Sequence, residues 1–218
     1  INASGSGIVV YDNITKEVRC YFYSAPNWAL SSTGTTYDAG TLAGNGAVTS
    51  VTTNQIAFID DYYNTLKFMT RITGGFTVTP RVEIEDVSKP SLALITTSGS
   101  TWIAVVDNAT DVLSADNSSC QQIGNTLSLG NLKNPSICTL DAGANSRIAL
   151  IDAKTNTLRC YTFDGTDFSE VGQNKKIGGA GYEWQITQVS VNNIVVMDVY
   201  WGKIERWSFF GTSWTETG

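Results

Sequence analysis

IALIDAKTNTLRCYTFDGTDF, residues 148–168, reads as strand, turn, strand, turn and the start of another strand. The run IALID (148–152) is apolar up to its Asp, as expected for a strand buried on both faces. After the turn AKTNT, the segment TLRCYTF (157–163) alternates, and Asp164-Gly165 turns the chain into a short outer strand near FSEVG (168–172). The same unit recurs along the whole chain. Its opening run appears as IVVYD ending at Asp12, IAFID at Asp60, IAVVD at Asp107, IALID at Asp152 and IVVMD at Asp198, with spacings of 48, 47, 45 and 46 residues. Six positions after each Asp stands an aliphatic residue: Val18, Leu66, Leu113, Leu158 and Ile204. Sixteen positions after it stands a larger apolar one: Trp28, Phe76, Ile123, Phe168 and Trp214. No insertion disturbs either interval. Repeats of 40–50 residues built from strand-like units are the signature of a β-propeller. The sequence therefore predicts an all-β, five-bladed β-propeller with four antiparallel strands per blade.

The run before each Asp is the second strand of its blade. The third is clearest in 157–163 and in KIERWSF (203–209), and the outermost in FSEVG and SWTET (213–217). The innermost strands are AVTSV (47–51), SLALI (91–95), SICTL (136–140) and QITQV (185–189). Pro90 and Pro135 stand just before two of them, where a missing N–H costs no ladder bond. One domain over 1–218 results, with repeats at about 1–46, 47–90, 91–134, 135–182 and 183–218. Only Ile1 to Gly7 precede the second strand of the first repeat, so its inner strand is expected to be short or incomplete. Ring closure is then expected from packing of the last blade on the first, without an exchanged strand.

Charged residues make up 16% of the chain, and Gly, Ser, Thr and Asn fill the segments between apolar runs, a mixture suited to short strands and tight turns. A net charge of −6 and a pI near 4.6 argue against a nucleic-acid partner. No stretch approaches the ~18–20 apolar residues of a membrane-spanning helix. A start at Ile1 without an initiator Met reads as a processed or excised product. Sequons at Asn2, Asn13, Asn108 and Asn117 favour a secreted or surface-exposed glycoprotein. Four cysteines leave two readings open: a Cys120–Cys138 disulfide, or four buried thiols acting as small apolar residues. Cys20 and Cys160 share one repeat offset in non-adjacent blades and should not pair with each other.

The chain has no His, which excludes Ser–His and Cys–His nucleophiles and His-based metal sites. No phosphate-binding loop ends in GK[ST], and GGAG (178–181) reads as a loop. The five repeated Asp residues can line a rim that binds cations or sugar hydroxyls, or can accept backbone N–H bonds in their own turns. A side chain kept in every repeat favours the second role. The non-repeating acids (Glu17, Asp61, Glu83, Glu85, Asp86, Glu183, Glu205) form no carboxylate pair that the sequence can place, so neither glycosidase chemistry nor any other catalysis is expected. No cofactor and no metal are assigned.

The turn after the repeated Asp varies: NITKE, DYYNT, NATDV, AKTNT, VYWGK. It puts Tyr62, Tyr63, Tyr200 and Trp201 in tight turns. Propeller geometry places the links between blades on the same face, and these carry Tyr37, Asp38, Tyr182, Glu183 and Trp184. Aromatic rings beside acids and amides suit the apolar face and the hydroxyls of a sugar. Glycans on Asn13 and Asn108 would occupy part of that face. At the sixteenth position, Trp28, Phe76, Phe168 and Trp214 read as core between blades.

The hairpins EVRCYFYSAPNW (17–28), TLRCYTFDGTDF (157–168) and KIERWSFFGTSW (203–214) resemble the repeats of fucose-binding propeller lectins of fungi and bacteria. In those repeats an aliphatic residue precedes a Trp by ten positions, as Val18 precedes Trp28 and Ile204 precedes Trp214. The resemblance implies a lectin-like propeller with the ring at Trp28, Phe168 and Trp214 beside the sugar. The family's sugar-binding Glu would fall on Cys20, Phe68, Ala115, Cys160 and Arg206, and the second strands here hold no counterpart of its Arg. The expected function is non-catalytic, multivalent glycan binding on cell surfaces or glycoproteins, with fewer than five working sites. The ligand-binding residues would be Tyr62, Tyr63, Tyr182, Trp184, Tyr200, Trp201, Trp28 and Trp214. The alternative is a protein–protein or host-receptor attachment module, such as an adhesin or virion spike head.

Overall fold

A computed structural model describes residues 7–12, 14–24, 27–30, 36–38, 46–52, 54–72, 75–78, 82–83, 87–141, 146–178 and 183–218. Among these residues there is no helix, and every strand pairing is antiparallel. Five sheets follow one another along the chain, one per repeat. Sheet 1 holds β1 (Gly7–Asp12), β2 (Glu17–Ser24), β3 (Asn27–Leu30) and β4 (Thr36–Asp38). Sheet 2 holds β5 (Gly46–Ser50), β6 (Gln55–Asp60), β7 (Thr65–Ile72), β8 (Gly75–Val78) and β9 (Val82–Glu83). Sheet 3 holds β10 (Ser91–Thr97), β11 (Ser100–Val106), β12 (Val112–Asp116) and β13 (Leu127–Ser128). Sheet 4 holds β14 (Ser136–Asp141), β15 (Arg147–Asp152), β16 (Thr157–Phe163), β17 (Phe168–Glu170) and β18 (Lys175–Lys176). Sheet 5 holds β19 (Trp184–Ser190), β20 (Asn193–Asp198), β21 (Lys203–Phe210) and β22 (Ser213–Glu216).

Strand order follows chain order in each sheet, and the outer edge is shared by two short strands in sheets 1, 2 and 4. The four inner strands and the third strands lie where the sequence predicts them. An inner strand for the first repeat falls on residues outside the described ones.

The chain divides into two compact units, Ile1–Pro90 with Ser118–Gln121, and Ser91–Asn117 with Gln122–Gly218. The second unit shows why IALID is apolar throughout. Ile148 and Leu150 of β15 pack in one cluster with Ala104, Val106 and Leu113 of sheet 3. Ala149 and Ile151 point the other way, into a cluster with Ile186, Ile194, Val196, Trp207 and Phe209 of sheet 5. A sheet covered on both faces needs apolar residues in both phases of the strand alternation. Each such side chain contributes about 1.5–3 kcal/mol when fully buried.

Phe168 and Trp214, sixteen after their Asp, are buried in these clusters. Their rings lie 4.6 Å from Phe163 and 4.9 Å from Phe209 respectively. Backbone clasps also join neighbouring sheets. The N–H of Asn125 donates to the Thr166 carbonyl at 2.7 Å, and that of Gln173 to the Thr212 carbonyl at 2.8 Å. Gly124 and Gly172 precede these donors at φ 68° and 75°, and a Cβ on either would stand within 2.3 Å of the accepting oxygen.

In the first unit, Val18, Ile56, Phe58 and Met69 form a cluster with Val9, Tyr11 and Val48 packed against it. Cys120 donates its thiol to the Leu66 carbonyl at 3.4 Å. All four cysteines are buried free thiols, so the Cys120–Cys138 disulfide is absent.

Candidate functional site

The five repeated aspartates build five copies of one turn. In each, the carboxylate accepts the backbone N–H groups two and three residues on. The acceptor–donor sets are Asp12 with Ile14 and Thr15, Asp60 with Tyr62 and Tyr63, Asp107 with Ala109 and Thr110, Asp152 with Lys154 and Thr155, and Asp198 with Tyr200 and Trp201. The fourth residue after the Asp has positive φ every time: Lys16, Asn64, Asp111, Asn156 and Gly202. This conformation lets its N–H reach back to the Asp carbonyl, at 2.7 Å for Lys16 and 2.8 Å for Asn156 and Gly202. At Asp12 the donated N–H groups of Ile14 and Thr15 lower the carboxyl pKa. The carboxylates hold the turns, and among the described residues no three His, Cys, Asp or Glu side chains gather to hold a metal ion.

Those turns present the aromatic residues. Tyr62 and Tyr63 meet edge-to-face, centroids 5.0 Å apart and planes at 85°. Tyr200 and Trp201 repeat the arrangement at 5.0 Å and 88°. Asp60 and Asp198 fix the backbone under each pair, so both rings leave the turn at set angles. Tyr62, Tyr200 and Trp201 are 55%, 63% and 65% exposed. Tyr63 is half-buried, with the ammonium of Lys67 6.0 Å from its ring centre. Lys67 itself is buried and also faces the rings of Tyr37 and Phe58. Nearby, burial pushes the Tyr11 phenol up to about 12, with Asp60, Asp61 and Asp12 adding to it.

Other candidates lie elsewhere. Trp184 is the first residue of β19 and is buried, its indole N–H donated to Asn156 Oδ1 at 3.0 Å. It is a core residue and not part of an open aromatic face, because the inner strand starts one residue earlier than its polar neighbours suggest. Trp214 is buried beside Phe209, and its Nε1 has no hydrogen-bond partner among the described residues. Trp28 lies in β3 opposite Tyr23. Tyr182 lies outside the described residues.

Sequence reasoning missed a second repeated feature, at the seventh and ninth positions after the Asp on the third strand. Two residues apart on one strand, these side chains share a face and bond to each other: Arg19 to Tyr21, Ser114 to Asp116, Arg159 to Tyr161, and Trp207 Nε1 to Glu205 Oε2 at 3.0 Å. The signal was present as a polar residue at the seventh position in all five repeats: Arg19, Lys67, Ser114, Arg159 and Glu205. Glu205 is buried and also holds Lys203.

No protein-family model and no curated protein sequence matches this chain. Solved structures do match in fold. A functionally unknown protein from Desulfotomaculum acetoxidans aligns over 98% of this chain with a TM-score of 0.67 at 15% identity. A putative 6-phosphogluconolactonase from Bacteroides fragilis aligns over 100% of it with a TM-score of 0.69 at 12% identity. The fucose-specific lectin from Aleuria aurantia aligns over 99% with a TM-score of 0.63 at 15% identity. The likeness shows the fold alone. This chain spans 65% of the length of the Desulfotomaculum protein, 69% of the Bacteroides protein and 76% of the lectin.

Proposed function

We propose that this chain is a non-catalytic carbohydrate-binding module of β-propeller type, a single domain whose five sheets are the blades. The observation that carries the reading is the pair of solvent-facing aromatic corners, Tyr62–Tyr63 and Tyr200–Trp201, each seated on an Asp-clasped turn. Two rings at right angles offer one face for the C–H side of a pyranose and an edge that limits its orientation. The turn backbone is already hydrogen-bonded, so little ordering cost falls on binding. Only two of the five turns carry such pairs, which agrees with fewer than five working sites. Weak sites repeated along one chain gain from avidity on a cell surface or glycoprotein. The lectin among the fold neighbours supports a sugar ligand. The lactonase is so named for its own activity, and no turnover of a phosphogluconolactone is expected here. A secreted or surface location, with the sequons occupied, fits such a ligand.

The test is a glycan array with the purified protein, run with and without calcium, followed by titration of Trp201→Ala and Tyr62→Ala against any glycan class bound. Each variant should lose about tenfold in affinity, the scale of one stacking contact. Silence on the array from folded protein would overturn the reading in favour of an attachment module for a protein receptor. The exposed Val189, Val191 and Phe210 favour that second reading.

A further inference from the structure

In each sheet of the second unit, the carbonyl eight residues after the repeated Asp accepts an N–H from the outer edge. Ile123 donates to Ala115 at 2.7 Å, Val171 to Cys160 at 2.8 Å and Thr217 to Arg206 at 2.8 Å. In sheets 3 and 4 the outer chain then runs on beside the third strand. Leu127 and Ser128 pair with Leu113 and Val112, and Lys175 and Lys176 pair with Leu158 and Thr157. The first unit repeats the pattern, with Tyr37 and Asp38 opposite Val18 and Glu17, and Val82 and Glu83 opposite Leu66 and Thr65. The corresponding residues of sheet 5 are Ile204 and Lys203. They pair with Met197 and Asp198 of β20 on the inner side, and among the described residues none pairs with them on the outer side.

Strand geometry sets which way the backbone of Ile204 faces. Arg206 turns both its polar groups outward, its N–H to the Gly218 carbonyl and its C=O to the Thr217 N–H. Residues two apart on an antiparallel strand face the same way, so Ile204 turns its N–H and C=O to the same edge. Leu158 of sheet 4 holds the same position and meets Lys175 there. A strand edge with outward N–H and C=O groups is a template for an added strand.

We propose that this edge of sheet 5 takes up an extended segment of a partner protein, antiparallel to β21, with a large apolar residue opposite Ile204. Three of the four segments at this place in the other sheets set such a residue opposite the aliphatic one: Tyr37, Val82 and Leu127. Glu205 and Lys203 flank Ile204 and bond to each other. A basic residue before the apolar one and an acidic residue after it would stand opposite Glu205 and Lys203, so that four charges alternate in sign. The inference stands independently of the glycan reading, which rests on the turns.

The probe is a labelled peptide copying residues 79–86, TPRVEIED, whose Val82 and Glu83 already lie opposite an aliphatic residue and its neighbour in sheet 2. Its binding to the full chain is read by fluorescence anisotropy, and amide exchange at Ile204 by NMR. The Ile204 N–H should exchange fast in the protein alone and slowly in the complex. Methylating the peptide nitrogen of the Val removes its N–H and should weaken binding by about tenfold or more, with no change to the protein. Ile204→Pro, which removes the outward N–H, should do the same, and exchanging the peptide's Arg and Glu should cost about threefold. No binding to folded protein at about 1 mM peptide overturns the proposal. So does binding that ignores the methyl group, which would place the peptide elsewhere. Slow exchange at Ile204 in the protein alone also overturns it, since the edge would then be filled from within.

Discussion

Asp116 should make this protein less stable at neutral pH than in mild acid, and replacing its charge should remove the difference. The residue closes β12 opposite Ile103, is 5% exposed, and its carboxylate bonds the Ser114 side chain. Burial raises its pKa to about 6 from 3.8, and the Ser114 bond offsets part of the rise. A carboxyl whose pKa is raised by folding holds its proton longer in the folded chain than in the unfolded one. Stability from this group is therefore complete below about pH 4 and is lost as pH rises through about 6. At about 1.4 kcal/mol per pH unit, the full penalty above that window is about 3 kcal/mol. Asp116→Asn keeps the shape and removes the charge, so it should stabilise the protein by about 3 kcal/mol at pH 8 and by about 1 kcal/mol at pH 4.5. For a chain of this length, 3 kcal/mol is about 6–12 °C in Tm. Thermal and urea unfolding of both proteins across this pH range provide the measurement, and the other acids cancel in the difference. An advantage of Asn that stays constant with pH, or grows toward acid, would refute the reasoning.

Three further outcomes are expected. Gly172→Ala sets a Cβ 2.3 Å from the Thr212 carbonyl oxygen at positive φ, and should cost at least about 2 kcal/mol in urea unfolding. Leu158→Ala should cost about 2–5 kcal/mol, whereas Ile204→Ala, at the same repeat position, should cost less than about 0.5 kcal/mol in dilute solution. Burial pushes the Cys160 thiol up to about 12 and raises that of Cys138 as well, so neither should react with a thiol reagent at pH 8 until the protein is unfolded.

The strand plan was legible because its signals are local. A two-residue alternation in TLRCYTF, an unbroken apolar run in IALID and an Asp at a constant interval each reflect forces acting within a few residues: pleat, burial on two faces, and N–H groups in reach of a carboxylate. The aromatic turns at Tyr62–Tyr63 and Tyr200–Trp201 were legible for the same reason. Trp184 was not. A Trp in a link and a Trp opening a strand look alike in sequence, and only Asn156 from the preceding repeat places its indole inside.

The sequence by itself determined the all-β class, the repeated sheet, the role of its five aspartates and the turns that carry exposed rings. Tertiary structure alone decided which repeats are covered. Leu158 and Ile204 are the same kind of residue in the same local setting, and one is fully buried while the other faces solvent. Burial depends on what a neighbouring sheet brings to that side, and a contact between residues some 45 positions apart leaves no mark on either one's local pattern. The same holds for the buried charge of Asp116 and for the buried indole of Trp214, which finds no partner among the described residues; their energies are set by what packing withholds from them.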